Sequence, residues 1–567
     1  MARNQQPRQR GILGVLKPAE PLLFSFLPNG AQEWPSDDDE EDSDYDPNVS
    51  ADFGDEDGEA SPTAISSKKK PKTSKKDTIP SRSKQKSKAT KKSQKPAKGV
   101  KTDKRKAAKR RRTSAPPSKG QKVPDKNDSE VQRSSFGDPT LWGQRLPLIV
   151  LQKVYQYVVQ SSGAIPFLCR ACRVCRLWRE AAVHSSLWQH LDLANGRIKC
   201  TDATLDWLAQ NRLSQVKSIN LGGWKKLTDE GIQALVTHCP KHLTTIHLNG
   251  CIKLGSKSVN ALADSCPNLH TLDLSNSNAD VVSISSMTNV LQSLGSRLRV
   301  LSLASNKLKA GPILKSLMTY CSNLTTLDIS NCKFSSDFLM LHIEEFQRGC
   351  PKLQVLRLAG CMVRAGQATT KAQAASTGFP DLQELSLAVN TDINVSNGGI
   401  AIDDNMLLRL LVKSHQLRLL DLRGCTHITA VGIQRLPVYD LQHLFISQCS
   451  VSRYEGIEAI VQKWRHSLIE LDLSWNVFPA MSLDIAIQKL SSVPGQSVLR
   501  DINLAGTSIT AERVRSFLEG CPSLVSLNLA SCRGLPRGMK RSYSGECLVQ
   551  LKTDLRTASP SSLEYVD

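Results

Sequence analysis

Leu243-Thr-Thr-Ile246-His-Leu248-Asn-Gly-Cys251 places aliphatic side chains at its first, fourth and sixth positions and a cysteine at its ninth. Alternation across Ile246 and Leu248 describes a short strand with one apolar face. The phrase starts again at Leu269, Leu298, Leu324, Leu353, Leu382, Leu417, Leu441, Leu468, Leu499 and Leu524, and in a valine form at Val216. These twelve starts lie 24 to 35 residues apart. One match would mean little, but twelve in register describe a stacked array.

The spacing is that of a leucine-rich repeat. Between phrases come stretches such as Asp229-Glu-Gly-Ile232-Gln-Ala-Leu235-Val236, apolar at helical spacing. A single unit cannot cover its own apolar face, so its neighbours complete it. The expected fold is α/β: a leucine-rich-repeat solenoid of about twelve units over residues 191–535, parallel strands inside and helices outside. Residues 536–567 are either a cap on the last unit or a loose tail. The unit starting at Leu382 is long, with Asn390-Thr-Asp-Ile-Asn-Val-Ser-Asn-Gly-Gly before its helix, and residues 363–378 are small and polar. Insertions of this kind map to one rim of a solenoid, either as a binding rim or as neutral loop drift.

The repeat also accounts for most of the sixteen cysteines. Cys251, Cys332, Cys361, Cys425, Cys449 and Cys532 share the ninth position, where a small apolar side chain fills space and Asn bonds the turn backbone. Cys239, Cys266, Cys321, Cys350 and Cys521 recur just before the next strand. Cys169, Cys172 and Cys175 step by three, so their thiols drift around a helix, and no second ligand pair follows at finger spacing. Neither a metal nor any other cofactor is expected.

The residue between the last two aliphatics of each phrase projects from the exposed strand face. In chain order these are Asn220, His247, Asp273, Ser302, Asp328, Arg357, Ser386, Asp421, Phe445, Asp472, Asn503 and Asn528. The row holds the four carboxylates Asp273, Asp328, Asp421 and Asp472 against one Arg, which favours a basic or hydrogen-bonding protein segment over a nucleic-acid backbone. Phe445 and Trp475 are the aromatic anchor candidates for such a substrate, and each can equally pack against a neighbouring strand.

The formal net charge of +21 is unevenly spread. Residues 37–67 hold thirteen acids and no base, while residues 68–126 hold twenty-five bases and three acids. The acidic stretch 37–59 and the basic stretch 68–126 carry too little apolar surface to offset chain entropy, so residues 1–136 are expected to be a disordered tail. Within it Lys104, Arg105, Lys106, Lys109, Arg110, Arg111 and Arg112 form a cluster suited to an acidic import-receptor groove, placing the chain in the nucleus, with nucleolus and cytoplasm open. The apolar patch at residues 22–27 is short and follows Lys17-Pro-Ala-Glu-Pro21, and nothing approaches a membrane span in length. No membrane partner is expected, and nucleic acid only through the basic tail.

Residues 137–190 follow a different grammar. Leu151, Val154, Tyr155 and Val158 share a helical stripe, as do Leu168, Cys172, Cys175 and Trp178. Pro147 suits a helix start and Ser161-Ser-Gly163 breaks the run. Two or three short helices are too small for a core of their own and should lean on the first repeat through Trp188, Leu191 and Leu193.

Leu146-Pro147, Val174-Cys175-Arg176-x-Trp178 and Leu187-Trp188 together resemble the skeleton of an F-box. With cysteine-containing repeats directly behind, residues 141–535 are similar to the F-box and leucine-rich-repeat proteins. The resemblance implies a small all-α module whose Leu146, Pro147, Val154, Val174, Cys175 and Trp178 meet a Skp-type adaptor. It also implies that Leu187 and Trp188 lock the module to the array. Through the adaptor come a cullin and a ring subunit, and the array holds a protein substrate for ubiquitination. Ile149 departs from the pattern, since family members often carry Glu two positions after the Pro.

No Walker loop, His-Glu-x-x-His pair or G-x-S-x-G elbow is present, so a non-catalytic substrate receptor is expected. Two other classes fit parts of the chain. A nuclear or nucleolar scaffold would bind RNA or ribosomal proteins through residues 68–126, and a ribonuclease-inhibitor-like binder would share the repeat size but give no reason for Val174-Cys175-Arg176-x-Trp178.

Overall fold

The computed structural model describes residues 146–194, 198–336, 338–389, 402–449, 456–491 and 497–557. The charged stretches 37–59 and 68–126, the import cluster at 104–112 and the insertion at 390–399 lie outside the described residues.

The chain enters through α1 (Leu148–Ser162), α2 (Phe167–Ala171) and α3 (Arg176–Ala182). Pro147 pre-sets the first turn of α1, its carbonyl accepting the Val150 and Leu151 N–H groups at 3.0 and 3.1 Å. Gly163, at φ +84°, ends the helix and donates back to Val159 O. Tyr155 ties the three helices together, edge-on to Phe167 at 5.0 Å and to Trp178 at 5.8 Å between ring centroids.

A turn at Ser185–Trp188 leads into the strand His190–Asp192, and there the repeat array begins. Fourteen strands form one sheet, the first thirteen parallel and in chain order. After the opening strand come Ser218–Asn220, Thr245–His247, Thr271–Asp273, Val300–Ser302, Thr326–Asp328, Val355–Arg357, Glu384–Ser386, Leu419–Asp421, His443–Phe445, Glu470–Asp472, Asp501–Asn503 and Ser526–Asn528. Each of the twelve phrases therefore supplies one three-residue strand, and the α/β repeat architecture with a small helical module in front is as the sequence implies. The last strand, Ser542–Ser544, turns back antiparallel to Ser526–Asn528. Behind it the helix Glu546–Thr557 buries Leu548, Leu551 and Leu555. Residues 542–557 thus close the end of the sheet and blunt an edge that would otherwise offer unpaired backbone groups.

Neighbouring units are stitched by side chains as well as by the sheet. Asp202, at the head of its helix, accepts from Thr228 N and Oγ1 at 2.8 Å each, anchoring the residue that leads into the helix of the next unit. Asp229 does the same for Gly255 N at 2.7 Å, and Asp404 for Thr429 N at 2.8 Å. The ninth-position cysteines fill space as expected and also donate to the unit before: Cys251 to Leu221 O at 3.2 Å, Cys361 to Ile329 O at 3.0 Å, Cys532 to Leu504 O at 3.1 Å. Asn306 and Asn476 occupy the same position and each satisfies two carbonyls, one from its own unit and one from the unit before.

The irregular region carries its own small sheet. Val363–Ala365 pairs parallel with Leu339–Leu341. Arg409 forks Glu344 at 2.8 Å through both nitrogens and bonds Gly366 O at 3.0 Å, holding this extra layer down. Burial alone would raise the Glu344 carboxyl, but the Arg409 hydrogen bonds and charge, a backbone N–H bond and the nearby His342 together outweigh it and hold the group below the usual carboxylate range.

Candidate partner-binding surfaces

The helical module turns its two faces to different tasks. Inward, Leu151, Tyr155, Leu168, Ala171, Ala181 and Ala182 join the core that continues into the array. Leu187 and Trp188 are buried there, and the Trp188 indole donates to Ala182 O at 2.9 Å. Gln189 O accepts from Lys217 and Ser218 N–H, and the Trp224 indole donates to Leu193 O at 2.9 Å. The module is thus continuous with the first repeat through backbone, sheet and core.

Outward, Pro147 is exposed, and so are Ile149 at 64%, Val154 at 47%, Val174 at 58%, Val150 and Tyr157. Leu146, Cys175 and Trp178 are half-buried; Leu146 and Trp178 pack against the core, Trp178 through its contact with Tyr155. Of the six residues assigned to an adaptor face, then, Pro147, Val154 and Val174 present open surface and the other three support it. Ile149, Val150 and Tyr157 enlarge the open apolar surface; their position on α1 was readable, their exposure was not.

On the sheet, all twelve ladder residues stand at the third position of their strands and pair in one unbroken register. Neighbours in such a ladder are roughly 4.8 Å apart, close enough for side chains to satisfy one another. Several do. Arg357 forks Glu384 and reaches Asp328 at 3.9 Å. Asp273 accepts from Ser275 and faces His247 Nδ1 at 3.4 Å. Burial would raise its carboxyl, but these bonds more than compensate and hold it low.

Two of the sequence candidates are buried. Asp421 is buried, forked by Arg423 at 2.8 Å through both nitrogens and bonded by Ser386 Oγ at 2.9 Å. Phe445 is buried too, beneath the Arg423 guanidinium at 5.4 Å from its centroid. Arg423 stands two residues beyond the ladder, a position the phrase leaves unassigned, and it consumes both groups. Asp472 and Trp475 differ: Asp472 is half-buried and Trp475 is 55% exposed.

Asp472 belongs to an open pocket on the strand face together with Glu470, Asp501, Asn503, Asn528 and Arg423. Its Oδ1 accepts from Ser474 N at 3.0 Å. Glu470 faces His443 at 3.1 Å. Burial, and after it the nearby Glu470, push the Asp501 carboxyl above its ordinary value, against Arg500 and His443. The pocket therefore holds more negative charge than its own cations neutralise.

Among the described residues no group of three or more His, Cys, Asp or Glu side chains is placed to hold a metal ion, and no helix is long and apolar enough to cross a membrane. Burial pushes the Cys251, Cys266 and Cys361 thiols up to about 11, and those of Cys239, Cys321, Cys332, Cys350 and Cys449 up to about 12. Such thiols stay protonated at neutral pH and are poor nucleophiles.

Residues 144–194 match the F-box-like family model, and residues 323–346 match the Leucine Rich Repeat model. Similar solved structures include the yeast Rad7 and Elc1 complex, at 16% identity and a TM-score of 0.45, covering 70% of this chain and 91% of that one. Another is the mouse RP105/MD-1 complex, at 16% identity and a TM-score of 0.36, covering 62% of this chain and 60% of that one.

Proposed function

We propose that this chain is the substrate-recognition subunit of a Skp–cullin–F-box ubiquitin ligase, and is itself non-catalytic. The proposal extends to family: the F-box and leucine-rich-repeat proteins, their cysteine-containing subtype and, on its charged tail, the sixth numbered member. The observation that carries it is the outward apolar face of the F-box-like segment, where Pro147, Ile149, Val150, Val154 and Val174 are solvent-exposed while the opposite face is committed to the array. Clustered exposed apolar side chains on a module this small call for a partner. A Skp-type adaptor is that partner, and Ile149 offers it apolar contact where charge is common in the family.

In this reading the array grips a protein substrate and the module grips the adaptor. The cullin and ring subunit that follow supply ubiquitin transfer, and the rate gain is one of effective concentration. An import receptor reads residues 104–112 and brings the assembly to the nucleus.

The test is capture of purified Skp-type adaptor and cullin by the full chain, compared with the Leu146→Ala/Pro147→Ala and Val154→Asp variants. Capture by the wild type and its loss in the variants is expected. If the wild type captures no adaptor the ligase reading fails. The twenty-five basic residues of 68–126 then favour the RNA or ribosomal-protein scaffold, which predicts RNA binding that deletion of 68–126 abolishes.

A further inference from the structure

In eleven of the twelve units the strand ends in a turn whose crest residue takes the left-handed conformation, and in all of these but the last the crest N–H donates to a carbonyl of the next unit. Gly223, Gly250, Asn276, Ser305, Asn331, Gly360, Gly424, Gln448, Gly506 and Ser531 hold this place in ten units, all with φ between 50° and 82°. Glycine and small polar residues are what that region tolerates. In the unit of Glu470–Asp472 the crest is Trp475, at φ +58°, its N–H bonded to Ala505 O at 2.7 Å. Its six-membered ring lies on Gly506, where an added Cβ would meet Cε3 at 2.6 Å. The ring rests on the next turn on that side, and the residue as a whole stays 55% exposed.

Apolar exposure concentrates around it. Val477, on the strand-to-helix loop, is 78% exposed, and Met481, in the first turn of the helix Ala480–Ser491, is 76% exposed, with Ile485 one turn further on. These four exposed apolar side chains, Trp475, Val477, Met481 and Ile485, fall within one short stretch of chain. Beside it lie the carboxylates: Asp472 accepts the Ser474 N–H one residue before Trp475, and Glu470 and Asp501 share its pocket. The pocket's Arg423 makes its hydrogen bonds to Asp421 and reaches Asp472 and Glu470 through charge alone, one cation against these carboxylates and Asp501.

We infer that the rim formed by Trp475, Val477 and Met481, with the adjoining Glu470–Asp472–Asp501 pocket, docks an extended partner segment carrying a Lys or Arg a few residues from an apolar side chain. The base enters the carboxylate pocket and the apolar residue lies on the indole. Charge complementarity selects the base, and the three-residue step from Asp472 to Trp475 places the carboxylate and the indole within reach of one short segment. An exposed aromatic already resting on a neighbouring turn loses little rotamer freedom on binding, as interface hot spots require. In the ligase reading this segment is the recognition element of the substrate. The inference rests on that reading for the word substrate only, because the docking chemistry does not involve the adaptor.

The test pans a random dodecapeptide display library on the full chain bound to its adaptor, with adaptor alone as the control. Adaptor capture is scored on the same preparation, so a failure of the ligase reading shows separately. Enriched peptides should carry Lys or Arg within about four residues of Leu, Phe or Trp, and their binding should weaken as salt is raised. Trp475→Asn keeps a residue that the equivalent turns already use, so it should fold normally while weakening the selected peptides roughly tenfold or more. Glu470→Lys/Asp472→Lys should turn the selection toward acidic peptides. No enrichment over the control, peptides without basic bias, or binding untouched by both variants overturns the inference. So does binding that emerges only after residues 68–126 are deleted, which makes the chain's own basic segment the occupant. A dimer dissolved by Trp475→Asn overturns it in favour of a second copy.

Discussion

The first helix and a repeat helix carry similar apolar stripes and meet opposite fates. In Asp229–His238, Ile232, Leu235 and Val236 are all buried, because the helices Asp202–Asn211 and Ser256–Ser265 flank it on both sides. In α1 only Leu151 and Tyr155 are buried, while Ile149, Val150, Val154 and Tyr157 face water. Stacking covers the stripe of an internal unit; a helix at the end of the stack keeps one side open. An apolar stripe therefore reports a surface that needs covering, and position in the stack decides whether the chain itself covers it.

Substitutions can break that contrast in a definite order. Trp188→Ala should be the most damaging. It empties a large buried site at the joint and leaves the Ala182 carbonyl without its donor, about 3–5 kcal/mol in chemical denaturation. Leu235→Ala should cost about 2–5 kcal/mol. Val154→Asp should cost less than about 0.5 kcal/mol and instead remove adaptor capture. If Val154→Asp proves as destabilising as Leu235→Ala, the surface around it is internal and the contrast collapses.

Asn476→Ala should fall between these, at about 1–3 kcal/mol, because the carbonyls of Ile446 and Leu473 lose a buried donor. Asn476→Cys tests whether the two residue types at this position are interchangeable. The cysteine should recover part of the loss, since Cys449 and Cys532 make the equivalent bond to the preceding unit.

The smallest effect concerns Asp501. Its folded-state pKa is raised, so its ionised form weakens the fold once pH exceeds the carboxylate range, and below that range the cost vanishes. Asp501→Asn should raise the unfolding midpoint slightly at neutral pH, with the gain fading as the pH falls through about 4. A gain that grows toward acid would reverse the assigned sign.

Much of the array is legible because alternation is a local property. A run such as Leu327-Asp328-Ile329 has one side that must be buried, and a one-residue slip would turn it inside out, so the register of the whole ladder follows from the phrase. The carboxylate links made by Asp202, Asp229 and Asp404 were missed, although each is the first residue of its helix, directly after the N-cap, where a signal existed. The aromatic anchors divided. Phe445 and Trp475 look alike as candidates, yet one is covered by Arg423 and the other rests on Gly506.

By itself, then, the sequence determined the repeat, the strand register, the inward cysteines and the helical character of the leading module. All of these depend on side-chain period and on residues a few positions apart. The tertiary structure decided which ladder charges remain open to a partner, because the cations that neutralise them come from other units or other positions of the turn. It also decided which apolar residues stay in water, because covering them depends on what the stack places alongside.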